Sequence, residues 1–334
     1  ARTQTGCACS NSTWPATIPS PRACAACSTA AAPSTCWSTT PESCTAASPR
    51  VLRAIACHGG RGLARLCLYP ITLYFLLVRG PERRASRAWL ARVRGRDAGP
   101  WDVARHIHTF ASTILDRVFL LGGQTWRFDI RVHGLDPLVA LVDQGRGALL
   151  FGSHLGSFDA LRILSRRRPG LKVRIVLDRT QNPVLTGIFE SLDPALAQCV
   201  IDGSQPGAAI ALEIQHALQS GELVALLVDR AQPHEDTAPA PFLDTPAPFP
   251  LTPWKLAAAL HAPVLLCFGL YRGGNRYDLH FEPFADLATA PPPRAARAQW
   301  QQQVHAYAAR LEHHARRMPF NWFNFYDFWS GHER

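Results

Sequence analysis

The 334 residues are 47% hydrophobic, enough for a sizeable core, and carry 35 basic against 25 acidic side chains. That length accommodates one large domain with appendages or two modest ones. The positive excess is nearly all arginine, since Lys172 and Lys255 are the only lysines, and it is concentrated. Arg50 to Arg105 hold twelve Arg against Glu82, Asp97 and Asp102. Such a segment seeks phosphates, on nucleic acid or on an anionic membrane. No zinc-finger, RNA-recognition or helix-turn-helix signature accompanies it, and an apolar run lies inside it, so the membrane is the preferred partner and no nucleic acid is expected.

Residues 1–58 hold six of the ten cysteines within the first 44 positions, among Ser, Thr, Ala and Pro. That composition supports no disulfide framework, and Cys24 and Cys27 form a lone C-x-x-C without a second pair at zinc spacing. The segment reads as a disordered or non-native leader, with no metal site. Leu66–Val78 is thirteen uncharged residues between Arg65 and Arg79. A spanning helix needs about twenty, so this run alone is expected to dip into or lie on a bilayer, with Tyr69 and Tyr74 at head-group level. Trp101–Leu121 places apolar residues at helical spacing, with His106, His108 and Asp116 as structural or substrate-lining polar groups. Residues 59–126 together form a basic, membrane-associating helical segment.

From Phe128 strands alternate with helices: strands at Phe128–His133, Gly147–Phe151, Val173–Leu177, Gln198–Ile201 and Leu223–Val228; helices at Pro137–Gln144, Asp159–Arg167, Val184–Leu192, Ala208–Gln219, Thr252–Leu260 and Gln299–Arg317. Val264–Tyr271 and Tyr277–Phe284 read as a paired set of strands. The pattern predicts an α/β domain over residues 127–330, a mostly parallel doubly wound sheet flanked by helices.

Ligands of such sheets bind at the C-terminal strand edge, and the stretch Gly147–Asp159 places chemistry there. A buried strand runs into Gly152, Ser153 and Gly156, with His154 in the turn and Asp159 opening the next helix. About one H-x4-[D/E] is expected by chance in this composition, so its context, and not the spacing, is informative. Two more strands end in polar residues, at Asp178-Arg179 followed by Asn182, and at Asp229-Arg230. A serine nucleophile elbow, a dinucleotide fingerprint and a Walker A loop are all absent.

These residues resemble the lysophospholipid acyltransferase superfamily, and within it the bacterial lipid A biosynthesis (lauroyl/myristoyl-type) acyltransferases. Four stretches carry the likeness over roughly residues 60–330: Ser153–Asp159, Asp178–Pro183, Val228–Arg230 and Asn321–Trp329. Those enzymes usually carry Glu where this chain has Asp159. The resemblance implies transfer of a fatty acyl group from an acyl carrier protein or acyl-CoA thioester to a hydroxyl of a lipid or glycolipid acceptor, at the cytoplasmic face of a bacterial inner membrane, without a cofactor. His154 is the expected general base, with Asp159 orienting its ring. Arg179, Asn182, Asp229 and Arg230 are expected to bind substrate or order the loop, and Gly156 and Ser157 to offer backbone N–H groups. A non-catalytic lipid-binding scaffold with the same fold is the alternative. The aromatic run Phe320–Trp329 is either a strap over the core or a wall of the acyl tunnel.

Overall fold

The computed structural model describes residues 60–162, 164, 170–178, 180, 199–232, 235–286 and 293–329. The expected leader 1–58, the expected helix Val184–Leu192, Arg179 and Asn182 lie outside the described residues.

A seven-stranded sheet organises the chain: β1 Asp129–His133, β2 Ala148–Gly152, β3 Val173–Leu177, β4 Val200–Asp202, β5 Leu223–Leu227, β8 Pro263–Tyr271 and β9 Arg276–Asp286. A separate antiparallel hairpin, β6 Thr237–Phe242 and β7 Thr245–Pro250, intervenes in the chain. The sheet order is β1-β9-β8-β2-β5-β3-β4. From β8 to β4 the neighbours are all parallel, whereas β9 reverses against β8 and β1 runs parallel with β9. The architecture is therefore mixed α/β with a mostly parallel central sheet, its far edge turned round by the β8–β9 hairpin.

The helices are α1 Leu68–Val78, α2 Gly80–Arg94, α3 Pro100–Leu121, α4 Asp136–Asp143, α5 Gly207–Gln219, α6 Thr252–Ala259 and α7 Pro293–Arg317. They cover both faces. Leu149 and Phe151 of β2 pack into one core with Trp254 of α6 and Tyr307 of α7, while Ala148 and Leu150 join another with Leu115 and Phe119 of α3. Burial on both faces explains why β2 is an unbroken apolar run and does not alternate.

The apolar N-terminal helix is longer than the uncharged run suggested. It spans Gly60–Val78, 19 residues, and is long and apolar enough to cross a membrane. The extension is possible because its arginines are satisfied locally. Arg61 makes a two-pronged ion pair with buried Asp116 of α3 at 2.7 and 2.8 Å, and Arg65 donates to the Tyr271 hydroxyl and the Gly274 carbonyl. Ala64 and Leu68 face α3, while Leu63, Leu66, Tyr69, Leu73, Tyr74, Leu77 and Val78 are exposed.

Two other elements differ from expectation. A 3₁₀ turn, Phe158–Arg162, stands where an α-helix from Asp159 was expected. The β6–β7 hairpin is an added element, in a stretch whose alternating prolines disfavour strand pairing. Pro239 faces Pro248 and Pro241 faces Pro246, so the missing N–H groups oppose each other. Its two-residue turn holds Leu243 and Asp244 at φ of 52° and 63°. Glu312 of α7 accepts from the Leu243 N–H at 2.6 Å and thereby fixes this strained turn.

Candidate active site

Strand register assembles the site. β2 and β5 are parallel neighbours with Gly152 opposite Leu227. Two residues beyond those positions lie His154 and Asp229, which therefore emerge side by side from adjacent strand ends. His154 Nδ1 is 2.7 Å from Asp229 Oδ1, and the His154 backbone N–H donates to Asp229 Oδ2 at 3.0 Å.

The buried Asp229 carboxylate is saturated with donors. Besides the two from His154, Oδ2 accepts from Trp322 Nε1 at 3.2 Å and Asn324 Nδ2 at 3.3 Å. Burial alone would push its pKa up, but the His154 contacts and the Arg230 charge outweigh burial and hold it at about 2. The carboxylate is thus an acceptor only, so His154 Nδ1 must carry the proton and Nε2 the lone pair. Burial, and then the charges of Arg230 and Arg117, keep the His154 pKa below the ordinary value against the opposing pull of Asp229. The ring is neutral at pH 7. Its side chain remains 27% exposed, and Nε2 has no hydrogen-bond partner among the described residues.

Asp159, the expected partner of His154, is engaged elsewhere. It accepts from Arg117 Nε of α3 at 2.5 Å, a pair 22% and 8% exposed at the two side chains. The correction follows from the local backbone: Asp159 is in the 3₁₀ turn and meets α3, whereas β5 delivers its own acid directly beside the histidine. Arg117, which no motif marked, uses only Nε here, and no other partner of its guanidinium is present among the described residues.

Gly156 and Ser157 also take a different part. Their N–H groups, expected to face substrate, donate to the Asn321 and Gly269 carbonyls, each at 2.7 Å. Gly156 has φ +83°, and a Cβ there would sit 2.0 Å from the Gly269 carbonyl oxygen. Glycine is therefore required for the turn to reach β8. The Ser157 hydroxyl is buried without a hydrogen-bond partner among the described residues.

The aromatic tail is a strap, and it frames the site. Phe323 N–H donates to the His154 carbonyl at 2.8 Å, closing the histidine turn from the far side. Arg230, expected to bind substrate or order the loop, donates from Nε to Asn324 Oδ1 at 2.5 Å and from Nη2 to the Phe323 carbonyl at 2.9 Å, with the Tyr326 ring 5.5 Å away. His106 of α3 braces the strap from below. Its Nε2 donates to the Trp322 carbonyl at 2.9 Å, and its Nδ1 accepts from the Ser86 hydroxyl at 2.8 Å. Burial lowers the His106 pKa to about 4, so it stays neutral in this role. In the sequence Asn321 and Asn324 are only members of the closing aromatic stretch. Their structural role is not legible until the tail is seen pairing with residues some 95 and 170 positions earlier in the chain.

Comparison with known families matches residues 110–330, about two thirds of the chain, to the bacterial lipid A biosynthesis acyltransferases. The matched span takes in the C-terminal half of α3, the whole sheet and the strap. No curated protein matches the chain. A match of that extent, over the elements that build the His154 site, makes this chain a member of the bacterial lipid A biosynthesis acyltransferase family.

Proposed function

We propose that the protein transfers a fatty acyl group from a thioester, on acyl carrier protein or coenzyme A, to a hydroxyl of a lipid or glycolipid acceptor at the cytoplasmic face of a bacterial inner membrane. Family membership supports acyltransferase activity on a lipid acceptor. The observation that carries the reading is the His154–Asp229 pair, a neutral imidazole whose Nδ1–H is held by a buried carboxylate while Nε2 remains free.

Nε2 of His154 takes the proton of the acceptor hydroxyl as its oxygen attacks the thioester carbonyl. Asp229 stabilises the imidazolium that forms and keeps the ring in the productive tautomer. The tetrahedral oxyanion then collapses with cleavage of the carbon–sulfur bond, and the departing thiolate recovers the proton from imidazolium as a thiol. No serine nucleophile is needed, because holding both substrates together supplies the entropic advantage. Arg117, anchored through Nε by Asp159, directs its remaining N–H groups and charge to anionic oxygen of the donor or of the developing oxyanion. A pocket of about 140 Å³, lined by Phe158, Leu161, Leu171, Val173 and Ile175 with Lys172 and Cys199, is mostly apolar. The exposed face of Gly60–Val78 suits a bilayer surface, where lipid acceptors are found.

The test is label transfer from acyl-carrier-protein and acyl-CoA thioesters to total inner-membrane lipid, with His154→Ala in parallel. General-base catalysis contributes roughly 10²–10⁴-fold, so the variant should fall by at least that while remaining folded and vesicle-bound. Undiminished turnover by a clean His154→Ala preparation would overturn the assignment.

A further inference from the structure

Away from the His154 turn, the reversed edge of the sheet gathers imidazoles that the acyl-transfer reading does not use. His133 ends β1, and His280 lies directly opposite it on β9 in the parallel register. Asp278 precedes His280 by two residues, which puts all three side chains on one face of the two strands. Their candidate donor atoms, one from each residue, lie within 4.8 Å of one another. The His133 and His280 rings stack with centroids 4.6 Å apart.

We infer that His133, Asp278 and His280 form a binding site for a divalent transition-metal ion of zinc-like preference, which clamps edge strand β1 to β9. Two imidazoles and one carboxylate are the donor set of borderline cations such as zinc, with water completing a four-coordinate shell. The stacked rings require a rotamer change to converge on one ion, and His133, at the sheet edge with a side chain 49% exposed, can make it.

A second feature bears on the same place. His314 of α7 is buried, with its ring 5.1 Å from that of His280. Its Nε2 is engaged by Glu282 at 2.8 Å, but its Nδ1 is buried without a hydrogen-bond partner among the described residues. A buried imidazole nitrogen with no partner among the described residues, on a ring next to His280, is a feature that a nearby ion or its water would satisfy. Opposing the ion are Arg272, 3.4 Å from Asp278, and the charge of Arg317 felt at His280. The Arg272 pair is long and partly exposed, and metal coordination would replace it.

The ligands are separated by 145 residues of sequence between His133 and Asp278, so no spacing motif announces them. The experiment titrates zinc chloride into the full chain after chelator treatment and alkylation of its accessible thiols, which removes the cysteines as competing ligands. Calorimetry should give one equivalent bound, and zinc should raise the melting temperature. His133→Ala, a change at an exposed edge position, and His280→Ala should each weaken binding at least tenfold and abolish the thermal shift. Asp278→Asn should weaken it less. Absence of zinc binding by the alkylated protein overturns the proposal, as does equal affinity in the His133→Ala and His280→Ala variants. Because the readout is binding and melting, failure here leaves the acyl-transfer reading untouched.

Discussion

His154 and Asp229 stand at the same offset beyond two registered strands, and the 2.7 Å bond between them joins positions 75 residues apart. The bond makes the strand that carries the histidine and the strand that carries the carboxylate one unit. It also separates the duties of the chain's two candidate acids, since Asp159 serves Arg117.

Replacing Asp229 by Asn tests that division. An amide in this position presents an N–H₂ among the donors of His154, Trp322 and Asn324, so the least costly answer is for the imidazole to move its proton to Nε2. The base is then lost with the fold retained. Acyl transfer by Asp229→Asn should fall about 10²–10⁴-fold, measured as kcat/KM on a variant whose circular dichroism matches the parent. Loss confined to less than threefold would place the orienting role elsewhere.

Arg117 depresses the His154 pKa through its charge, after burial and Arg230. On the proposed mechanism the neutral ring is the active form, so the acid limb of the pH–rate profile should lie below the ordinary histidine value of about 6.5. Removing the charge in Arg117→Gln should move that limb to higher pH and lower the plateau as well. A profile whose acid limb is unmoved would show that the guanidinium is electrically remote from the base.

Gly156 allows no side chain. Alanine there would combine a φ of +83° with a Cβ 2.0 Å from the Gly269 oxygen. We expect Gly156→Ala to cost about 3 kcal/mol or more and to misplace His154, two residues earlier. Thermal melting and turnover should fall together, whereas Gly145→Ala, also at positive φ but with open space around its Cβ, should lower melting far less and leave activity intact.

The ion pair at Arg61 links the apolar helix to the α/β domain. Asp116 is buried, and burial raises its pKa while Arg61 and the Tyr277 hydroxyl, which donates to it at 2.8 Å, pull it back down. Without Arg61 the carboxyl pKa rises further, and the folded state then binds a proton that the unfolded chain, near 3.9, has released. Stability is therefore lost as pH rises toward the folded-state pKa. Arg61→Ala should be destabilised by about 3–5 kcal/mol at pH 8 and measurably less at pH 5 by denaturant melts. A deficit that grows toward low pH would refute the stranded-charge account.

Leu73 and Leu77 lie on the exposed face of the Gly60–Val78 helix, Leu77 being 71% exposed. If that face meets lipid, burying each leucine contributes roughly 1.5–3 kcal/mol to binding. The double change to Glu should weaken sedimentation with anionic vesicles at least tenfold without altering the melting temperature. Unchanged vesicle binding would place the membrane contact on another surface.

Local pattern carried much of the protein in plain view. The unbroken apolar run of β2 announced a strand buried on both faces, the 3.6-residue period announced α3, and the paired apolar runs from Val264 and Tyr277 announced the β8–β9 hairpin. The glycine turn pointed to His154 because a strand ending in Gly-Ser-His exposes a titratable group at the edge where ligands bind. Arginines flanking an apolar run pointed to the N-terminal helix. Each of these signals lives within about twenty residues, which is the range over which period and turn chemistry operate.

What remained hidden depends on which strands become neighbours. Nothing within β2 states that β5 will lie beside it with Gly152 opposite Leu227, and that register alone chooses Asp229 over the nearer Asp159 as partner of His154. The same holds for Arg230, drawn into the aromatic strap, and for the Gly156 and Ser157 N–H groups, consumed by carbonyls of the strap and of β8. Periodicity fixes which face a side chain takes, whereas packing across the sheet decides what waits on that face.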